Sequence, residues 1–121
     1  MRTFALALAL VFATTAVAAA DQLADDRAAQ AAKVYDALRA RTAAPSDEEL
    51  YRWSVRWLDA QLDAQPKAAA KAFADHAQRM AQLEATAKAG YKSGLIDAVA
   101  LTMATYYRLE ADLWAARGKK S

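Results

Sequence analysis

Apolar residues recur at three- and four-residue steps over most of the chain, and nowhere do they alternate with polar ones as a strand would. The spacing is clearest from Pro66 to Arg117. Phe73, Ala77, Met80, Leu83, Ala87 and Tyr91 line one helix face. After the five residues Gly90-Tyr91-Lys92-Ser93-Gly94, the stripe Leu95, Val99, Thr102, Tyr106, Leu109 and Leu113 runs beside a second one, Ile96, Ala100, Met103, Tyr107 and Trp114. Two adjacent stripes make a wide apolar sector, so this helix should touch more than one neighbour. Gly94 suits the left-handed residue just past a helix end, and Asp97 suits the N-cap of the next helix. The segment is therefore predicted to be an antiparallel hairpin of two long helices.

Two further helices precede it. Ser46-Asp47-Glu48-Glu49 carries the signature of a capping box, with two more acids suited to a helix N-terminus. It opens a helix with Leu50, Tyr51, Trp53, Val55, Trp57, Leu58 and Leu62, the heaviest apolar segment and the expected centre of the core. Trp53 and Trp57, one turn apart among Arg52 and Arg56, read as core anchors with arginines across their ring edges. The competing reading is an aromatic and cationic ligand face. Gln65-Pro66 marks a corner or kink, with Pro66 at the first position of the next helix. Upstream, Ala24, Ala28, Ala31, Tyr35 and Leu38 place a helix over Asp21 to Thr42, ended by Ala43-Ala44-Pro45.

The hairpin turn also resembles a known motif. Ala87-Lys88-Ala89-Gly90-Tyr91-Lys92-Ser93-Gly94-Leu95-Ile96-Asp97, followed by Ala104, is similar to the repeat of TolC-like outer-membrane efflux proteins, in which A-x-x-x-Y-x-x-G-L-I-S joins two long coiled-coil helices. Ala87, Tyr91, Gly94, Leu95, Ile96 and Ala104 match. Asp97 stands for the usual Ser, and Ala100 for the usual Asp. The resemblance covers residues 87–104 alone. It implies a coiled hairpin and an envelope setting. The family's trimeric barrel has no counterpart here, because the chain has no strand-like stretch.

Met1 to Ala20 reads as a secretory signal peptide. Arg2 supplies the charged start, Phe4 to Phe12 the apolar run, and Ala18-Ala19-Ala20 the cleavage site, with Ala16-Val17-Ala18 as a second site. A retained anchor is the alternative, but the run is barely long enough to span and contains Thr14 and Thr15. Asp21 to Ser121 is then a single helical domain, periplasmic or secreted.

Composition narrows the chemistry. There are no cysteines among the 121 residues, which excludes disulfides, thiolate metal sites and Cys nucleophiles. The 16 basic residues nearly balance the 14 acidic ones, and they are interspersed as on solvated helix faces, so nucleic acid is not indicated. Much of the apolar content is alanine, which leaves a thin core for so small a domain. Self-association or docking on an envelope partner would compensate.

His76 is the only histidine. It could serve as a haem-b ligand opposite Met103, but its place between Phe73 and Met80 equally fits a boundary or partly buried side chain. Further histidines or Glu-x-x-His pairs for a zinc or di-iron centre are missing, as are a nucleophile elbow, a phosphate loop and a paired-carboxylate constellation. No cofactor is expected, and an enzyme is not. Tyr106 and Tyr107 cannot share one seam, so one of them should lie on a second interface.

The sequence thus predicts an all-α fold: the hairpin with two further helices packed as a small up-down bundle. Trp53, Trp57, Phe73, Met80, Gly94, Asp97, Met103, Tyr106 and Trp114 are its expected structural residues. The expected role is that of an exported, non-enzymatic helical protein that acts by packing against other protein. A degenerate or accessory relative of TolC-like efflux components, and a small ligand or haem carrier, are the alternatives.

Overall fold

A computed structural model describes residues 2–41 and 46–121, with side chains described from residue 15 onward. Four α-helices follow in order: α1, Arg2–Ala40; α2, Asp47–Ala64; α3, Ala69–Lys92; and α4, Ala98–Arg117. One 3₁₀ turn, Pro66–Ala68, leads into α3, so the predicted corner at Gln65-Pro66 is a turn of tighter helix and not a kink in a continuous one. The proposed break at Ala43-Ala44-Pro45 lies outside the described residues.

Local chemistry sets the helix ends. Ser46 takes extended backbone angles, and its hydroxyl accepts from the Glu49 N–H at 3.2 Å, which satisfies one of the free donors of the first turn. At the other end of the hairpin, α3 closes in a Schellman motif. The Leu95 N–H donates to the Gly90 carbonyl at 2.8 Å and the Gly94 N–H to that of Tyr91 at 3.1 Å, while Gly94 sits at φ +74. Asp97 then caps α4, its Oδ1 accepting from the Ala100 N–H at 2.9 Å. Gly118, at φ +70, ends α4 in the same left-handed manner.

The helices pack as two hairpins, α1 with α2 and α3 with α4, joined through α2. The pairing of α3 with α4 is the most extensive contact in the fold. It is built on small residues: Ala87, Ala104 and Ala111 are buried there beside Met80, Leu83 and Tyr107. Short side chains let the two helices approach closely. A second cluster, Leu58, Ala72, Phe73 and Trp114, joins α2 to both. α1 runs along α2 and reaches α3 only through side chains, with Tyr35 near Arg79 and Arg39 bonded to Gln82.

α1 is longer than expected, because it runs unbroken through Ala18-Ala19-Ala20. Its buried residues, among those described, are Ala31, Tyr35 and Leu38, and residues 15–23 are all exposed. Residues 15–23 therefore add nothing to the core. Among the described residues, no helix is long and apolar enough to cross a membrane.

The core differs from the sequence reading in two places. On α2, Leu58 and Ser54 are fully buried, while Trp53 and Trp57 are only half-buried. The row Leu50-Ser54-Leu58 faces inward, and the indoles, offset from it by one position, lie along its edges. On α4, Met103 is 40% exposed and Tyr106 61%, so neither belongs to the core. α4 buries the face that carries Ala104, Tyr107, Ala111 and Trp114. The stripe of larger residues is left outside because α1 packs across α2 and does not cover it.

Candidate functional site

Two features stand apart from ordinary helix packing: a polar centre inside the bundle and an apolar stripe outside it.

The polar centre joins α2 to α3. Ser54, His76 and Arg79 are all buried, the first two completely. Arg79 Nε donates to Ser54 Oγ at 2.6 Å, and Arg79 Nη2 to the Ser54 carbonyl at 3.1 Å. Ser54 Oγ lies 2.7 Å from His76 Nδ1. The Ser54 hydroxyl accepts from Arg79, which can only donate, and shares one hydrogen with His76 Nδ1. His76 Nε2 is buried without a partner among the described residues. Trp114 stacks on the His76 ring at 5.6 Å between centroids, and Tyr51 lies tilted at 6.4 Å. Burial, together with the charges of Arg79 and Lys120, pulls the His76 pKa down to about 3, so the ring is neutral at ordinary pH.

Arg79 makes no ion pair with a carboxylate. Its guanidinium sits 4.0 Å from the centre of the Trp57 ring and 5.7 Å from that of Tyr35. Burial lowers its pKa to about 10, which still leaves it charged. The two rings and the two bonds to Ser54 compensate a charge that would otherwise be costly inside the fold. Trp57 thus covers a cation face-on, where an arginine along the ring edge was expected. Arg56 lies over Trp53 in the same way, at 4.5 Å.

Ser54 and His76 have the contact of a nucleophile and its base, yet neither reaches solvent, and the hydroxyl is held by Arg79. No substrate could approach Oγ without unpacking α2 from α3. A haem reaching His76 would have to displace Trp114 or Tyr51, and Met103, its proposed opposite ligand, lies on the exposed side of α4. Among the described residues, no three His, Cys, Asp or Glu side chains gather as metal ligands.

The aromatic packing continues outward. Tyr51 stacks on Tyr107 at 4.0 Å with planes 9° apart, and its hydroxyl donates to Glu110 Oε1. Burial, reinforced by that carboxylate, raises the Tyr51 pKa. Tyr107 meets Tyr106 edge-on at 6.2 Å. Of the adjacent tyrosines, Tyr107 is the inner one and Tyr106 the outer one, exposed to solvent.

Tyr106 stands in the middle of the apolar stripe. Leu95 is 81% exposed, Val99 67%, Met103 40%, Leu109 53% and Leu113 43%. Val99, Met103, Tyr106, Leu109 and Leu113 form a row along the outer face of α4, continued at the hairpin tip by Leu95 and by Tyr91, 48% exposed. Single exposed leucines are ordinary, but a continuous row is a candidate binding surface. The row is firmly backed: Arg108 bridges to Glu84 Oε1 on α3 at 2.7 Å and to Asp112 at 3.0 Å. For Glu84, burial alone would raise the pKa, but the bond from Arg108 and the nearby Lys88 outweigh it and hold the carboxyl below its usual range.

A groove of about 560 Å³ lies between the end of α1 and the hairpin tip. Leu50, Leu83, Ala87 and Ile96 form its floor, with Arg39, Arg41 and Asp47 at its rim.

The predicted structural residues therefore separate into groups. Phe73, Met80 and Trp114 are in the core, Gly94 and Asp97 make the turn, Trp53 and Trp57 cover arginines, and Met103 and Tyr106 belong to the outer stripe. Ser54 and Arg79 were not foreseen. The available signal was Ser54's position, four residues from both Leu50 and Leu58 on the inward row, and Arg79's, three residues after His76. No protein-family model, curated protein or solved structure matches the chain.

Proposed function

We propose that the chain is an exported, non-enzymatic helical protein that works by binding another protein surface through the outer face of α4. The observation that carries this reading is the exposed row from Val99 to Leu113, centred on Tyr106. Tyrosine combines large contact area with few rotatable bonds, which suits it to the middle of an interface. The complete burial of Ser54 and His76 favours a structural role for the polar centre over a catalytic one.

Export is supported by Arg2, the Phe4 to Phe12 run and the small residues Ala18-Ala19-Ala20. Among the described residues, every buried one of α1 lies beyond Asp21, so cleavage there would spare them all. The mature protein is then expected to begin at Asp21, or at Ala19 if the earlier site is used, and intact-mass measurement on the exported protein checks it.

A photoreactive phenylalanine analogue at position 106, introduced in the producing cell, tests the binding role. The same residue at exposed Ala74 on α3 is the control. Discrete protein adducts at 106 and none at 74 are expected. Failure to form an adduct at both 106 and 109 would remove the reading.

A second reading follows from the hairpin tip, where exposed Tyr91 and Leu95 flank the Gly94 turn. It makes the chain an accessory relative of TolC-like efflux components, docking tip-first on an envelope assembly. Genes for an inner-membrane pump and its adaptor beside this one would support it.

A further inference from the structure

We infer that the partner of the α4 surface is a second copy of this chain, bound antiparallel about a two-fold axis that passes through Tyr106. The inference rests on the proposed role of α4 as a binding face and names its occupant.

Counted from Tyr106, the exposed apolar residues stand at −7 (Val99), −3 (Met103), +3 (Leu109) and +7 (Leu113). An ordinary heptad seam steps three, four, three, four, so a two-fold axis falls midway between two of its residues and never on one. This row steps four, three, three, four, and is the same read either way. A two-fold axis at Tyr106 therefore sets Val99 of one copy in a layer with Leu113 of the other, Met103 with Leu109, and Tyr106 with itself. Each apolar residue meets an apolar residue, as a self-complementary interface requires. The layers span about 21 Å at 1.5 Å per residue, a length over which two helices crossing at roughly 20° stay in contact.

Area is of the right order. At the exposures given above, and taking roughly 150–200 Å² for a whole large side chain, the five residues of the layers present on the order of 450 Å², against about 800 Å² per partner in a standard interface. The flanking threonines and alanines of α4 add to this. The bundle also has reason to dimerise, because six of the fourteen buried hydrophobic residues among those described are alanines, and burial scales with apolar area.

Charge decides against a lipid surface. From Val99 to Leu113 the only basic residue is Arg108, which is paired with Glu84 and Asp112, while Glu110 and Asp112 are acidic. Helices that lie on anionic membranes carry basic polar faces. The row itself holds no charge that a second copy would have to bury unpaired, since Glu110 is already bonded by Tyr51.

Sedimentation equilibrium of the purified protein tests the inference. A monomer–dimer equilibrium is expected. Tyr106→Arg and Leu109→Glu should each raise its dissociation constant at least 100-fold, with an unchanged helical circular-dichroism spectrum, since the first sets two like charges against each other on the axis and the second buries an unpaired carboxylate against Met103 in each of two layers. The chain has no cysteine, so oxidation of a mixture of Val99→Cys and Leu113→Cys proteins should give the mixed disulfide dimer, well above either homodimer. A parent that stays monomeric, a dimer that survives both charge variants, or a Val99→Cys homodimer as the main product overturns the inference. Cosedimentation of the parent with vesicles of phosphatidylglycerol and phosphatidylcholine, lost in Tyr106→Arg, overturns it in favour of lipid. The photoadduct at position 106 separates this inference from the reading beneath it. An adduct at twice the chain mass supports both, an adduct of another mass overturns the second copy alone, and no adduct at 106 or 109 overturns both.

Discussion

His76 Nδ1 and Ser54 Oγ meet at 2.7 Å in the middle of the bundle and tie α3 to α2 through a histidine that is wholly buried. The neutral ring fits this place and the charged ring does not: burial disfavours the charge, and protonation would set a second cation beside Arg79.

A pH dependence of stability follows. The folded-state pKa of His76, about 3, lies below the ordinary 6.5. Between these values the unfolded chain holds a proton that the folded one does not, so stability rises with pH across that window. His76 should contribute fully above pH 6.5, and each unit of acidification toward pH 3 should remove about 1.4 kcal/mol. As the only histidine, it accounts for the upper part of the window, pH 6.5 to 5, before the carboxylates titrate. Denaturant melts should show that slope in the parent, and His76→Gln should flatten it.

The bond between Arg79 and Ser54 makes a further expectation specific. Ser54→Ala deletes one oxygen but leaves Arg79 Nε and His76 Nδ1 buried without it. A cost of about 1–3 kcal/mol is expected, as for any buried group that loses its partner. Ser54→Ala combined with Arg79→Leu should cost less than the sum of the two single changes, because the stranded charge is gone. Strict additivity in chemical melts would show that the guanidinium had already found other partners.

The hairpin was legible because local rules fix it. Gly94 and Asp97 are strong punctuation, and an apolar period of three and four places the helices whatever surrounds them. The inward side of α4 was not, since both of its stripes are apolar and periodicity alone cannot rank them. The decision lies in tertiary packing: Ala104 and Ala111 let α4 close on Ala87 of α3, and α1 lies too far across α2 to cover the rest. The polar centre was half legible. His76 fell on the seam between Phe73 and Met80, but a buried arginine defies the usual sorting of charged residues to the surface. It is tolerated here because Trp57 and Tyr35 face its guanidinium.

Trp57 was expected to anchor the core, and its observed position changes the size of the effect. It is half-buried, and its main contacts are Arg79 at 4.0 Å and Tyr35 at 5.8 Å. Trp57→Ala should therefore cost about 2–3 kcal/mol, less than the roughly 3–5 of a fully buried aromatic, and part of that loss is the uncovering of a cation. Trp57→Phe should recover most of it, because a ring face over the guanidinium is kept. Thermal melts of the two variants separate lost area from lost cation contact: if Trp57→Phe is as damaging as Trp57→Ala, the indole's size matters and its face does not.

The two glycines of the turn should respond in opposite directions. Gly94 lies in open space, with nothing within 4 Å of a Cβ built on it, so no clash opposes substitution. What opposes it is φ at +74, which costs an ordinary residue about 1–2 kcal/mol and a β-branched one more. Gly94→Val should also weaken the bonds that the turn makes to Gly90 and Tyr91. Gly90 is inside the last turn of α3, and a Cβ there would meet Ile96 Cγ1 at 3.5 Å, an ordinary contact. Gly90→Ala should thus gain up to about 1 kcal/mol from reduced backbone freedom. Asp97→Ala, which deletes the acceptor of the Ala100 N–H, should cost about 1 kcal/mol and leave the turn itself in place. Melting temperatures in the order Gly90→Ala, parent, Asp97→Ala, Gly94→Val, from highest to lowest, are the expected outcome. A Gly94→Val protein as stable as the parent would mean that α3 ends without the left-handed residue, and that the chain reverses by another route.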